Sequence, residues 1–320
     1  MKGSLMKILI TGGAGFIGSN AASILQSKGY HIIAFDNLSL GKKENLDKKV
    51  IFIKGDVENA ADLKNLPAGI EYIIHLAAAS SAPMFENDLI GSYKNNCIGF
   101  LNILEYARVK KIKKVIFAST SSIYGDNPTP LKENQPVTPP NFYSVTKHTM
   151  EETAYVYSQL YNLEIIGFRF MSIYGLHEEH KGRFANLVSQ FIWEIDKNQS
   201  PILYGNGTQE RDFTNVADVV AVFESIIKKD KKYGFTVFNI GTAKSYNLIT
   251  LVKIINQVFQ KNIPPKFIKS PLKWTAKEQL ADLTKIKKEL NYQPKISLEQ
   301  GISEIINNIK RRGLKGEDEN

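Results

Sequence analysis

A glycine-rich turn near the start of the chain constrains its fold most strongly. The sequence GGAGFIG, residues 12–18, follows a short apolar segment and opens a helical pattern. Glycine permits a tight turn, lets phosphate approach the backbone and allows the helix to pack closely on the strand. In this strand–turn–helix context the motif predicts a dinucleotide site with the pyrophosphate at the helix N-terminus. The predicted cofactor contacts here are Gly12, Gly15, Phe16, Ile17 and Gly18.

Short apolar strands alternate with helices through the first half of the chain, which predicts an α/β fold with a doubly wound parallel sheet of the Rossmann type. The predicted strands are 7–11, 31–35, 50–53, 71–75, 115–118 and 164–170, and the predicted helices are 15–28, 86–109 and 143–161. This pattern predicts a cofactor-binding domain over 1–175, with parts of 211–240 returning to it. A smaller α/β substrate-binding lobe is expected over most of 176–320, with helices at 183–196, 216–229, 248–259 and 298–311.

Composition narrows the range of partners. The 320 residues carry 41 Lys and Arg against 32 Asp and Glu, a net charge of +9. The lysines are scattered, and recognised nucleic-acid motifs are missing, so a solvated basic surface is expected rather than nucleic-acid binding. A single cysteine, Cys97, rules out an intrachain disulfide and a thiolate metal cluster, and no metal is expected. The absence of a long apolar run and of a signal-peptide pattern predicts no membrane association and a cytoplasmic location.

An acidic residue at the end of the second predicted strand bears on the choice of cofactor. Asp36 lies where a carboxylate would bind the ribose diol of a dinucleotide, with Asn37 beside it. No arginine occurs between Asp36 and Leu40, so a 2′-phosphate would meet negative charge, and NAD is favoured over NADP. Two lysines that follow closely, Lys42 and Lys43, leave NADP as an alternative.

The ends of the third and fourth predicted strands extend the cofactor site. Asp56 follows the third strand and is predicted to bind the adenine amino group, while Val57 packs on the ring. The fourth strand ends in small residues, which let the cofactor lie against the backbone. The predicted contacts there are Leu76, Ala77 and Ala78. His75 precedes them and is interpreted as a hydrogen-bonded strand-end histidine rather than a catalyst.

Tyr143 and Lys147 form the predicted chemical centre. Their i, i+4 spacing places both side chains on one helix face. A free phenol has a pKa of about 10, too high for a good base near neutrality. A neighbouring ammonium and a positively charged nicotinamide would each lower that pKa. The pair therefore predicts a base that takes a proton from an alcohol, although the same spacing also occurs by chance on amphipathic helices.

Five elements occur in the same order as in the extended short-chain dehydrogenase/reductase family, which the chain resembles over essentially its whole length. They are TGGAGFIG, FDNLS, GDV, HLAAA and YxxxK. The resemblance implies an NAD-dependent epimerase or dehydratase. It places Asn96 near the cofactor and Thr120, in the stretch that ends at Tyr124-Gly125, at the catalytic Ser/Thr position. Ser119 and Ser121 are neighbours that could be confused with Thr120.

Two residues after Thr120 narrow the reaction that the resemblance implies. Similar 4,6-dehydratases carry Asp-Glu there, and related decarboxylases carry a glutamate at the second position. This chain has Ser121 and Ser122. Dehydration and decarboxylation are therefore disfavoured, which leaves oxidation and re-reduction at one carbon or a one-way redox reaction.

The resemblance also implies a sugar-nucleotide site in the second lobe. The implied substrate contacts are Ser80, Thr120, Ser172, Asn186, Leu187, Tyr204 and Arg211. The planar guanidinium of Arg211 suits a diphosphate, although a structural pair with Asp212 or Asp218 is an alternative. Ser172 stands where epimerases usually have asparagine. Leu272 stands where many have a second arginine, and Lys269 and Lys273 are nearby substitutes.

Together these features favour NAD-dependent epimerisation at C4 of a nucleotide-diphosphate sugar of the UDP-glucose/UDP-galactose type, through a transient 4-keto intermediate. A nucleotide-4-ketosugar reductase or another sugar-nucleotide dehydrogenase is the nearest alternative, and a non-catalytic NAD-binding protein is a distant one. The resemblance further implies a homodimer, because relatives pair two long helices from each subunit. In this chain those helices are predicted over 86–109 and 143–161.

Overall fold

A parallel sheet of seven strands forms the centre of the computed structural model, which describes residues 6–270 and 276–317. The order across the sheet is β11-β6-β5-β4-β1-β2-β3, with all pairs parallel. In chain order the strands are β1 (Lys7–Thr11), β2 (His31–Asp36), β3 (Ile51–Lys54), β4 (Tyr72–His75), β5 (Lys114–Thr120), β6 (Ile165–Phe170), β7 (Ser172–Tyr174), β8 (Ile202–Tyr204), β9 (Glu210–Arg211), β10 (Phe213–Asn215), β11 (Phe235–Ile240), β12 (Tyr246–Asn247) and β13 (Lys266–Ile268).

Helices cover the sheet and build most of the second lobe. They are α1 (Phe16–Ser27), α2 (Ala60–Lys64), α3 (Ala82–Asn87), α4 (Leu89–Lys110), α5 (Phe142–Tyr161), α6 (Leu187–Asp196), α7 (Val216–Lys228), α8 (Leu248–Phe259), α9 (Thr284–Leu290) and α10 (Leu298–Glu317). Short 3₁₀ segments occur at Lys43–Asn45, Ser121–Tyr124 and Glu179–Phe184. Within the described ranges, no helix combines the length and apolar character needed to cross a membrane.

Alternate residues of the central strands enter two separate cores, which explains why helices lie on both faces of the sheet. On β1, Ile8 and Ile10 join the core that α1 and α7 cover, while Leu9 joins the core beneath α4 and α5. All three side chains are fully buried. Burial on both faces is typical of parallel strands in doubly wound folds. The predicted α/β class with a doubly wound parallel sheet is therefore confirmed.

The second lobe contains three two-stranded pairs rather than an extended sheet. They are β7 with β10, β9 with β12, and β8 with β13. Three helices, α6, α8 and α10, pack around a third apolar core. Between these segments the chain returns to the main sheet, because β11 is its edge strand beside β6. Residues near the end of β6 and β7 therefore stand where the two halves meet.

Two predicted helices differ from the observed ones. The helix predicted over 86–109 is two helices, α3 and α4, separated at Asp88. The Asp88 side chain accepts a hydrogen bond from the Gly91 amide at the start of α4, and its backbone is extended. The helix predicted from 183 begins at Leu187, because Asn186 caps it by accepting from the Val188 amide. In both cases a short polar side chain satisfies free N–H groups and fixes the boundary.

Candidate functional site

A cleft of about 580 Å³ opens at the carboxyl ends of the central strands. This is the edge where α/β sheets bind ligands, beside the point at which strand order reverses. In this sheet β1 pairs with β2 on one side and β4 on the other. The second lobe supplies the opposite wall. Nearly every predicted site residue lines this cleft; the exceptions are Asp56 and Asn96.

The glycine turn leaves no room for side chains. Gly12 has φ 65°, and a Cβ there would lie 2.7 Å from the Ala77 nitrogen at the end of β4. A Cβ on Gly18 would lie 2.0 Å from the Gly12 carbonyl oxygen. Gly15 caps α1 without a side-chain hydrogen bond to the helix N–H groups. The amides of Gly13, Ala14 and Gly15 are hydrogen-bonded within the protein. The N–H groups offered to a pyrophosphate are therefore those of the first turn of α1, which no side chain caps.

Asp36 presents its carboxylate to the cleft from the end of β2. Its oxygens accept from the Ala14 amide at 3.0 Å and the Leu38 amide at 2.8 Å. Each oxygen keeps a second acceptor site, which suits two ribose hydroxyls. Asn37 lines the cleft and donates to Asp56 Oδ2 at 3.0 Å. Asp56 itself is not part of the lining, so its carboxylate holds Asn37 while its neighbour Val57 faces the cleft.

The end of β4 is held from behind by a buried histidine. His75 Nδ1 lies 2.8 Å from Thr11 Oγ1, which also accepts from the amides of Leu76 and Ala77. Burial, with a further contribution from Lys147, lowers the pKa of His75 to about 3. His75 is therefore neutral and positions the backbone along which Leu76, Ala77 and Ala78 line the cleft.

Asn96 is fully buried in α4 and does not line the cleft. Its side chain accepts from the Ala79 amide at 2.8 Å and donates to the Ala79 carbonyl at 3.1 Å and to Thr146 Oγ1 at 2.9 Å. These contacts tie the loop after β4 to α5. The structure thus gives Asn96 a positioning role behind the site in place of the predicted cofactor contact.

Thr120, Tyr143 and Lys147 meet at the cleft. Thr120 ends β5, and its hydroxyl hydrogen-bonds to the Tyr143 phenol and accepts from the Ser122 amide at 3.1 Å. Asn141 caps α5 in a capping box, which fixes the first turn that carries Tyr143. Lys147, one turn later, is buried and donates to the Ala118 carbonyl at 2.8 Å. Strand β5 and helix α5 therefore hold the three groups together.

The pKa values of this centre correct one expectation from the sequence. Burial raises the pKa of Tyr143, and the hydrogen bond from Thr120 opposes that rise. Burial also lowers the pKa of Lys147 to about 8. The sequence predicted that the ammonium would lower the phenol pKa. Burial sets the direction of the Tyr143 shift, and Lys147 is not among the groups that lower that pKa.

Two serines and a glutamine join the two sides of the cleft by hydrogen bonds. Gln279 Nε2 lies 3.3 Å from Ser121 Oγ, and Ser172 Oγ donates to Gln279 Oε1 at 3.2 Å. All three line the cleft. Sequence reasoning identified Ser172 and Ser121 but missed Gln279. Its partners are 107 and 158 residues away in the chain, so no local pattern indicates it.

Arg211 faces the same region from β9. Burial lowers the pKa of its guanidinium to about 10, which leaves it charged at neutral pH, and Nη1 donates to the Glu210 carbonyl at 2.7 Å. The alternative partners are engaged elsewhere. Asp212 accepts from the amides of Thr242, Ala243 and Ala281, and Asp218 accepts from those of Lys295 and Ile296. The guanidinium thus places a buried positive charge in the lining of the cleft.

The remaining predicted substrate contacts are placed as follows. Ser80, Leu187 and Tyr204 line the cleft, and so does Asn186, whose side-chain oxygen is occupied as the cap of α6. Leu272 and Lys273 lie outside the described residues. Lys269 is described but does not line the cleft. Lys43 lies over the Phe52 ring, with Nζ 5.4 Å from the ring centroid, and does not line the cleft.

The sequence between residues 8 and 241 matches the NAD dependent epimerase/dehydratase family. The chain belongs to this family. The resemblance inferred from its motifs is therefore confirmed, and so is NAD as the cofactor of the family. The glycine turn, the Asp36 carboxylate and the free N-terminus of α1 fit that cofactor.

Relatives in the family show both the shared fold and a range of reactions. The chain is 31% identical to a UDP-glucose 4-epimerase of Thermotoga maritima solved with UDP-glucose, with a TM-score of 0.91 and coverage of 96% of this chain and 99% of that one. A Thermus thermophilus UDP-glucose 4-epimerase solved with NAD gives 26% identity and a TM-score of 0.86, over 95% and 99% of the two chains. A UDP-N-acetyl-alpha-D-glucosaminuronate decarboxylase of Bacillus cytotoxicus is 30% identical, over 94% and 96%. The family thus comprises UDP-sugar enzymes of more than one reaction type.

Proposed function

We propose that this protein epimerises C4 of a UDP-hexose with NAD. The observation that carries the proposal is the cluster of Thr120, Tyr143 and Lys147, with serines rather than carboxylates at 121 and 122. Arg211 lies on the opposite wall of the same cleft, where it would bind the diphosphate of the substrate. The cleft thus combines a redox centre with a site for a nucleotide-diphosphate sugar.

Tyr143 is the proposed base that accepts the O4 proton and later returns it. NAD, when bound, accepts the C4 hydride and gives it back to the ketone. Thr120 shares a hydrogen bond with the phenol and lowers its pKa, so it supports the ionised form. Lys147, anchored on the Ala118 carbonyl, supplies a nearby positive charge that stabilises a phenolate once it forms. Between the two hydride transfers the 4-keto sugar turns its other face toward the centre.

The serines explain why epimerisation is favoured over elimination reactions. Loss of water or carbon dioxide requires further acid–base groups beside the reacting carbon. Ser121 and Ser122 offer neutral hydroxyls, and Ser121 is already hydrogen-bonded to Gln279. A protein with this set can move a proton at O4 through Tyr143, but it has no carboxylate at those two positions.

A sugar-nucleotide assay tests the proposal. The protein is incubated with NAD and, separately, UDP-galactose, UDP-glucuronate and UDP-N-acetylglucosamine, and products are resolved by chromatography. The proposal expects one of these to convert to its C4 epimer without net reduction of added NAD. Absence of any C4 conversion in all three would refute it. Stoichiometric consumption of NADH with a 4-keto substrate would instead support the reductase.

We also propose that the protein forms a homodimer through α4 and α5, which pack side by side. Several apolar side chains on these helices are exposed, including Ile98 on α4 and Leu160 on α5, which is 68% exposed. Exposed apolar side chains grouped on adjacent helices are typical of interfaces. Light scattering should give twice the 36.0 kDa chain mass. A monomer at micromolar concentration would exclude this interface. If the proposal holds, the double variant Ile98→Glu, Leu160→Glu should be monomeric.

A further inference from the structure

A segment that follows β7 crosses the cofactor end of the cleft. We name residues 176–184 the strap. It contains the 3₁₀ segment Glu179–Phe184, which is kinked at Gly182 with φ 50°. Three of its side chains line the cleft: His180, Lys181 and Phe184. None of these three was identified from the sequence as a cofactor contact.

Hydrogen bonds hold the strap against the region of the glycine turn. Three contacts join it to α1 and to the 3₁₀ turn after β2. They are Asn20 Nδ2 to the Leu176 carbonyl at 2.8 Å, Ser19 Oγ with His177 Nδ1 at 3.1 Å, and Asn45 Nδ2 with His180 Nδ1 at 3.4 Å. The strap therefore has a fixed position over the start of α1, where the pyrophosphate is expected.

Lys181 carries positive charge to that position. Its Nζ lies 5.4 Å from the ring centroid of Phe16, the first residue of α1. It forms an ion pair with Glu178, whose Oε1 lies 3.7 Å away, and its side chain is 17% exposed. Glu178 is already engaged, because its two oxygens accept from the Asn186 amide and the Ser189 hydroxyl. The ammonium thus lies beside the first residue of α1, in the lining of the cleft.

The other cations that line the cleft belong to α5 and β9. Lys147 donates to the Ala118 carbonyl beside Tyr143, and Arg211 donates to the Glu210 carbonyl in the second lobe. His180 is neutral at pH 7, because burial and the Lys181 charge lower its pKa. Among the described residues lining the cleft, Lys181 is thus the cation beside the turn that receives a doubly charged diphosphate.

We propose that Lys181 binds the diphosphate of the cofactor and that the strap thereby retains NAD through the reaction. The second part rests on the proposed function, since an epimerase must return the hydride to the carbon that lost it. Retention avoids loss of the reduced cofactor between the two transfers. The strap is held by residues of α1 and of the 3₁₀ turn after β2. Release of the cofactor therefore requires the strap to separate from α1.

Binding measurements test this assignment without turnover. The dissociation constants of NAD, ADP, UDP and adenosine, and the rate of NAD release from loaded protein, are measured for wild type, Lys181→Met and Lys181→Arg. Lys197→Met is the matched control, because Lys197 is an exposed lysine of the same lobe. Loss of a charge-assisted contact should weaken NAD and ADP roughly tenfold or more and speed NAD release to a similar extent.

Adenosine and UDP show whether Lys181 contacts the diphosphate of NAD, the diphosphate of the substrate or neither. The proposal expects adenosine and UDP to bind Lys181→Met within about twofold of wild type, Lys181→Arg to keep most of the NAD affinity, and Lys197→Met to change nothing. Unchanged NAD affinity in Lys181→Met would overturn it. Tenfold weaker UDP binding with unchanged NAD binding would also overturn it, by assigning Lys181 to the substrate diphosphate. An equal loss for adenosine would likewise contradict it, because adenosine carries no phosphate. These binding results are independent of the sugar assay, so either proposal can fail alone.

Discussion

The two walls of the cleft are built in different ways. The cofactor wall depends on local sequence, because one strand, one turn and one helix supply Gly12, Gly15 and Gly18 together. The substrate wall depends on long-range contacts, since Ser172, Arg211 and Gln279 come from separate segments joined by two-stranded pairs. The proposed NAD contacts are thus close together in the sequence, whereas the proposed substrate contacts are brought together only by the packing of the second lobe.

The largest effect is expected at the junction of the two walls. Tyr143→Phe removes the proposed base and leaves both binding regions in place. Removal of a positioned acid–base group typically costs 10²- to 10⁴-fold in rate, so we expect kcat to fall by about that factor. Affinities for NAD and UDP should stay within about twofold of wild type, as measured by calorimetry. Full activity in Tyr143→Phe would remove the phenol from the mechanism.

A substitution in the cofactor wall should affect one ligand. Gly18→Ala places a Cβ within 2.0 Å of the Gly12 carbonyl oxygen, so the turn must shift. We expect about 1–3 kcal/mol lower stability and roughly 10- to 100-fold weaker NAD binding, with UDP binding retained. Gly29→Ala is the control for loss of stability alone: nothing lies within 4 Å of its Cβ position, but its φ of 90° strains any residue with a Cβ, so stability should fall while NAD binding is retained. Equal losses for both ligands would show that the two walls are not independent.

Arg211→Met tests the substrate wall in the same way. Loss of a charged hydrogen-bond donor should weaken UDP and UDP-sugar binding by roughly 10- to 100-fold and leave NAD binding unchanged. Arg211→Lys should recover part of the loss, because lysine keeps the charge but not the planar fork. Unchanged UDP affinity in Arg211→Met would indicate that the guanidinium supports structure only.

A smaller effect should appear in the pH dependence of stability. The folded pKa of Lys147 is about 8, below the ordinary lysine value of about 10.4. Between these values the unfolded chain binds more protons, so this group makes wild-type stability rise with pH. Urea unfolding from pH 7 to pH 10 should show wild type gaining more than about 1 kcal/mol relative to Lys147→Met. A constant difference would contradict the lowered pKa of Lys147.

The same contrast explains what could be predicted from sequence. Strand alternation, the glycine turn and the Tyr143–Lys147 spacing are local, so the sheet and the cofactor wall follow from neighbouring residues. Gln279 and Lys181 are brought to the cleft by tertiary packing, and no spacing indicates them. Helix boundaries at Asp88 and Asn186 depend on capping, which the apolar pattern does not reveal. The raised pKa of Tyr143 depends on burial, which is likewise a property of the folded chain.

The most direct test of the central claim follows the hydrogen on C4. UDP-galactose carrying deuterium at C4 is incubated with the protein and NAD in ordinary water, and the products are examined by NMR and mass spectrometry. If UDP-galactose is accepted as a substrate, epimerisation through hydride return predicts UDP-glucose that retains deuterium at C4, with no net NADH. Epimerised product that has lost its deuterium to solvent, or a product lacking a hydroxyl group, would contradict the account.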